Sequence, residues 1–122
     1  MEIVAFILVL LVAVEHFYIL GLEMFFSTSK TAQKTFGLDE AFLKQESVKT
    51  LMANQGLYNG FLAAGLLWGL FFANPVSVVS IQLFFLSCVI VAAVYGYFTA
   101  SKQILLKQGL PAILAVIAVL MV

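Results

Sequence analysis

The stretch IVAFILVLLVAVEHFYILGLEMFF, Ile3 to Phe26, decides the fold. It runs apolar from end to end but for Glu15 and His16, side by side in its middle, and Glu23 two helical turns later. At about 24 residues it is long enough to cross a bilayer as a helix. An ionisable side chain at mid-depth costs from roughly 2.5 kcal/mol on insertion scales to over 10 in simulations, so it marks a functional site by default. The stretch does not read as a cleaved leader. Glu2 stands where a basic start is needed, the run is too long, and no small-residue cleavage site precedes Glu23.

The rest of the chain has the same character. Of its 122 residues 64% are hydrophobic and 10% charged, against roughly half and a quarter in soluble domains. Too little polar surface remains to cover a water-soluble core. Three more segments read as spanning helices, Leu51 to Ala73, Val76 to Phe98 and Ile104 to Val122, because lipid offers an unpaired backbone no partner. The short alternating segments of a transmembrane barrel are absent. The expectation is an all-α fold, a four-transmembrane-helix bundle forming one integral membrane domain over residues 1–122, with the lipid bilayer as its first partner. Cys88 is the one cysteine, so no intramolecular disulfide can form. A formal charge of zero gives no electrostatic reason to expect nucleic acid.

Orientation follows from the lysines. Lys30, Lys34, Lys44 and Lys49 lie between spans one and two, Lys102 and Lys107 flank the start of span four, and the chain has no arginine. In a four-span chain these two connections share a side, which the positive-inside rule makes cytoplasmic, with both termini outside. Asn74-Pro75 forces a tight turn between spans two and three. The first connection, Ser27 to Thr50, is longer than most in helical bundles. Gly37 suits the end of a short helix containing Thr31 to Phe36. Asp39 suits the cap of a second, with Phe42, Leu43 and Val48 as apolar contacts. The expectation is one or two short surface helices over the cytoplasmic mouth, the alternative being a plain polar loop.

Helix geometry converts the polar spacing into faces. His16 and Glu23, seven apart, project within roughly 20° of each other, while Glu15 points about 100° away. Either Glu15 or His16 can face the bundle centre while the other lines a flank or a subunit contact. Axial rise places Asn54 and Gln55 of span two near the depth of Glu23, and Tyr58 and Asn59 near that of Glu15 and His16. A carboxyl or imidazole in a dry interior needs such donors and acceptors. Glu15, His16, Glu23, Asn54, Gln55, Tyr58 and Asn59 are therefore the candidate substrate or proton site. Asn59 also shares a face with Gly56, Gly60 and Ala63, so it reads equally as glue between closely packed helices.

VEHFYILGLEMF at Val14 to Phe25, KTFGL at Lys34 to Leu38 and NQGLYNGFLAAGLLWG at Asn54 to Gly69 resemble a bacterial family of small four-helix membrane proteins known only as a domain of unknown function. The resemblance covers nearly the whole chain. It implies the four-helix fold and a place in the bacterial cytoplasmic (inner) membrane, and it implies no activity. A looser likeness is to the small multidrug resistance transporters, whose essential membrane glutamate in span one falls where Glu15 does. Those proteins have a shorter first loop and no counterpart of His16 or Glu23. Membrane glutathione and eicosanoid enzymes also use four helices, but their sites are rich in arginine, which this chain lacks.

Three readings of function stay open. The first is a proton- or cation-coupled carrier of a small lipophilic solute. A buried glutamate, Glu15, can hold a proton or a cation but not both, His16 can relay the proton, and Glu23 is the cytoplasmic relay. The second is a membrane-embedded enzyme with Glu15 or Glu23 as general base and His16 as acid or metal ligand. The sequence assigns no cofactor. With one histidine, a metal needs further ligands from span two or a second subunit. The third is an accessory or assembly protein whose polar residues only specify helix pairing. Four short helices shield a polar core poorly, so a homodimer or larger homo-oligomer is expected alongside a small-molecule or lipid ligand.

Overall fold

The computed structural model describes residues 2–122. Apolar segments must pair their backbone groups internally, and helix is the outcome. The elements are α1 (Ile3–Phe25), α2 (Lys30–Phe36), α3 (Glu40–Leu43), α4 (Glu46–Phe71), α5 (Val78–Thr99), α6 (Lys102–Ile104) and α7 (Leu110–Leu120). A wider π-helical turn, Leu105–Gly109, joins the last two. Among the described residues, three helices are long and apolar enough to cross a membrane: Ile3–Phe25, Val78–Thr99 and the continuous Lys102–Leu120. Asn54, Gln55 and Asn59 make α4 less apolar than these. The chain divides into two compact units. One holds the residues up to Glu15 with Leu62–Val122, the other His16–Phe61.

The first unit is held by apolar packing. Ala5, Val9, Val12 and Ala13 of α1 join Ala63 and Leu66 of α4, Leu86 and Val89 of α5, and Ala112, Ala115 and Val119 of α7 in one buried cluster. Small residues bring the helices close. A Cβ on Gly65 would overlap the Phe85 ring, and one on Gly69 would stand 3.0 Å from Gln82 Cγ. The turn from α4 to α5 closes when the Ser77 amide donates to the Asn74 carbonyl at 2.8 Å. Pro75 occupies its second position, where a fixed φ fits. The next turn is as tight, Ser101 capping the final helix by accepting from the Gln103 amide at 3.2 Å. Pro111 has no N–H to continue the α pattern. The helix widens just ahead of it, so that the Leu110 amide donates to Leu105 five residues back.

The second unit contains the long connection, which folds as two short helices. Ser29 caps α2 by accepting from the Ala32 amide. Gly37, at φ 67°, ends it in the left-handed conformation. Asp39 then caps α3, accepting from the Phe42 amide at 2.7 Å. Leu43, Val48 and Met52 form a small core, with Phe36 and Leu38 packed against it. α4 starts about a turn before Leu51, where the apolar run begins. Glu46 and Lys49 pair at 3.7 Å along it, and the Thr50 hydroxyl donates back to the Glu46 carbonyl. Hydropathy registers neither contact.

Gly37→Ala places a Cβ at positive φ and is expected to cost about 1 kcal/mol. The loss should appear as faster amide exchange confined to α2, α3 and the Leu43 core. Unchanged protection there would show that the left-handed cap does not organise the connection.

Candidate functional site: a buried carboxyl–carboxamide pair

One stripe of α1 is buried along its length: Ala5, Val9, Val12 and Ala13, then His16, Ile19, Leu22 and Glu23. Spacings of three and four residues put them on one face. His16 and Glu23 thus occupy positions that the pattern gives to apolar side chains, at 1% and 3% exposure. Of the adjacent pair, His16 takes the inward position. Glu15, about 100° round the helix, is half-buried. Its Oε1 is shut from solvent with no hydrogen-bond partner among the described residues.

Glu23 is answered by Asn59, whose Nδ2 donates to Glu23 Oε1 at 2.6 Å. Glycine makes this contact possible. A Cβ on Gly56 would stand 3.0 Å from Glu23 Cβ and 3.1 Å from the Leu20 carbonyl oxygen, and one on Gly60 would overlap the Leu20 side chain. The two helix backbones therefore approach closely, and Asn59, between the two glycines in sequence, reaches the carboxyl directly.

The depth-matched pairing of the sequence reading needs correction. Glu23 does not meet Asn54 and Gln55, both of which are exposed. Asn59 turns to Glu23. Tyr58 is 65% exposed, its ring set edge-on to Phe61 with centroids 5.9 Å apart. The physical reason is side-chain direction. Every helical Cα–Cβ bond leans toward its own N-terminus. On two helices running in opposite directions, Glu23 leans toward the middle of α1 while Asn59 leans back toward the start of α4. They meet although Gly56, three residues before Asn59, is the position that faces Glu23 across the helices.

In the first unit the sequence reading missed Gln82, which is 0% exposed. Neither its Nε2 nor its Oε1 has a hydrogen-bond partner among the described residues. Leaving a buried donor or acceptor unmatched costs about 1–3 kcal/mol. The signal was a carboxamide inside an otherwise apolar run, overlooked beside the ionisable residues of α1. No three His, Cys, Asp or Glu side chains among the described residues gather closely enough to hold a metal ion. What the Glu23–Asn59 arrangement offers is a buried carboxyl with one oxygen fixed in position by a neutral donor. Such a group can take up or give up a proton without losing its orientation.

An all-helical chain with three helices of membrane length and buried polar groups on their packed faces has the make-up of a small helical membrane protein. The chain belongs to the family described as "Protein of unknown function (DUF1304)", which matches residues 10–120. The family resemblance drawn from the motifs of α1, α2 and α4 is thereby borne out. The chain is 43% identical over 119 residues to the uncharacterized protein YpaA of Lactococcus lactis subsp. lactis (strain IL1403), across 97% of this chain and 98% of that one. No solved structure matches.

Asn59→Leu strands the Glu23 carboxyl and is expected to destabilise the protein by about 1–3 kcal/mol. Glu23→Leu with Asn59→Leu removes both partners and should recover part of that loss. A double-mutant cycle on thermal unfolding in detergent should give a coupling of about 0.6–2 kcal/mol. Additive losses would show that the two side chains do not interact.

Proposed function

We propose that this chain is a four-span, multi-pass protein of the bacterial cytoplasmic membrane that carries a small lipophilic solute in exchange for a proton or cation held on α1. The observation that supports it best is the burial of His16 and Glu23 on the packed face of an apolar helix, with the Glu23 carboxyl fixed by Asn59. Helix packing alone does not require ionisable groups, and their cost in an apolar helix favours a role in moving charge. In this reading Glu23 is the exchanging carboxyl and Asn59 keeps it aimed in both protonation states. His16, two turns along the same face, relays the proton.

The chain is read as a single domain with α1, α4, α5 and the final helix as spans. The lysine-bearing connections are cytoplasmic and both termini outside. α4 serves as a span despite its polar residues, since Asn59 is satisfied by Glu23 and Asn54 and Gln55 lie toward its cytoplasmic end. Glu15 is the residue assigned to a contact with a second copy, making the working form a homodimer or larger homo-oligomer. A second reading, an accessory protein without chemistry of its own, is favoured by Gly56 and Gly60 flanking Asn59. That is the pattern of close-packing glue.

Two measurements test the proposal. A reporter fused after Val122 should be active only outside the cytoplasm; activity only inside contradicts the topology. For transport, the full chain is reconstituted in vesicles holding a pH dye and challenged with lipophilic cations, tetraphenylphosphonium first, and then with neutral lipophilic amines and alcohols. At least one should drive proton movement that Glu23→Gln abolishes while the variant stays folded, because glutamine can still accept from Asn59. Proton movement with none of them, or movement unaffected by Glu23→Gln, contradicts the carrier and leaves the accessory reading.

A further inference from the structure

The first unit holds a polar feature that the carrier reading does not use. A cavity of about 340 Å³ is walled by Phe6 of α1, Leu70 of α4, Ala73 of the following turn, and Val78 and Val79 of α5, with Gln82 as its carboxamide. Pro75 and Val122 complete the lining, and no lining side chain is charged. Gln82 is fully buried, and both halves of its amide lack a hydrogen-bond partner among the described residues. Gly69 gives the glutamine its seat: a Cβ there would stand 3.0 Å from Gln82 Cγ and 3.6 Å from Nε2. The aliphatic part of the side chain is therefore packed tightly while its donor and acceptor remain unmatched. Buried polar groups in native structures are nearly always paired, and each exception calls for a cause.

We propose that this cavity binds a neutral lipophilic molecule whose head presents a donor and an acceptor side by side, as a primary carboxamide or a protonated carboxylic acid does. Both amide atoms are closed to water in the structure; on binding, the terminal amide turns toward the cavity and forms a two-bond ring with the head, whose acceptor takes the Nε2 hydrogen and whose donor meets Oε1. The tail lies along Phe6, Leu70 and the two valines. The unmatched amide selects for such a head over a plain hydrocarbon, because an alkyl occupant leaves Gln82 unpaired. This inference is independent of the carrier reading, since binding at Gln82 is expected whether or not Glu23 exchanges protons. The volume is near the lower end of the range for small-molecule sites.

The test uses the full chain in lipid nanodiscs, labelled at glutamine side-chain nitrogens and valine methyls, titrated with octanamide and, as control, n-octane. Octanamide should shift the Gln82 side-chain amide resonance and the Val78 and Val79 methyls with saturation. Octane should leave the amide resonance in place. Gln82→Leu, which keeps an apolar side chain of similar reach, should weaken the saturable methyl response about tenfold. Val79→Phe keeps the amide but fills the cavity and should weaken binding likewise, so the test survives if Gln82→Leu does not fold. Methyl shifts linear in octanamide, or unchanged by both substitutions, would mean bulk partitioning and overturn the proposal. So would a Gln82 amide that exchanges with water and ignores octanamide. A response tracking protein concentration instead of octanamide would mean a second copy covers the cavity and would overturn it too.

Discussion

A carboxyl placed on the packed face of an apolar helix has to be answered by a donor, and its nearest neighbours on that face, Ile19 and Leu22, have none to give. In this chain the answer comes from α4, and several features of the second unit follow from that need. Asn59 makes α4 less apolar than the other long helices, which is the cost of carrying a donor for Glu23. Gly56 and Gly60 remove the Cβ atoms that would hold the backbones apart. A carboxamide suits the role because it is neutral and can donate without introducing a second charge into the interior.

The first unit meets the same solvent constraint differently. Its core is valine, leucine and alanine, and its helices are joined by turns closed with local hydrogen bonds at Asn74–Ser77 and at Ser101. Gly65 and Gly69 bring α4 against α5 by the same device that Gly56 and Gly60 use against α1. Here the close approach serves packing around Phe85 and seats Gln82, whereas in the second unit it serves a hydrogen bond. Small residues set how near two helices come. The polar residue beside them decides what the proximity is used for.

Much of this architecture was legible because its signals are local. Gly37, Asp39 and Asn74-Pro75 each act through their own backbone angles or an amide a few residues away, and each ends or starts an element where expected. Apolar length located the helices but misplaced the start of α4, since Glu46 to Thr50 extend it through polar contacts that hydropathy does not record. The π-helical turn before Pro111 went unseen, because it depends on how the helix relaxes around a missing donor. At the candidate site, spacing put His16 and Glu23 on one face but could not say whether Glu15 or His16 faced inward. That choice is made by packing. Axial rise chose the wrong partner for Glu23 because it ignores the lean of helical side chains.

The central claim is that Glu23 and Asn59 remain paired across α1 and α4 in a bilayer. The direct measurement is a nitrogen–carbon dipolar coupling between the Asn59 side-chain amide and the Glu23 carboxyl carbon, recorded by solid-state NMR on the full chain in lipid. The hydrogen bond at 2.6 Å requires a separation under about 4 Å. A coupling of that size, lost in Asn59→Leu, is the result this account expects. A separation beyond about 6 Å, too long for a direct hydrogen bond, would contradict it.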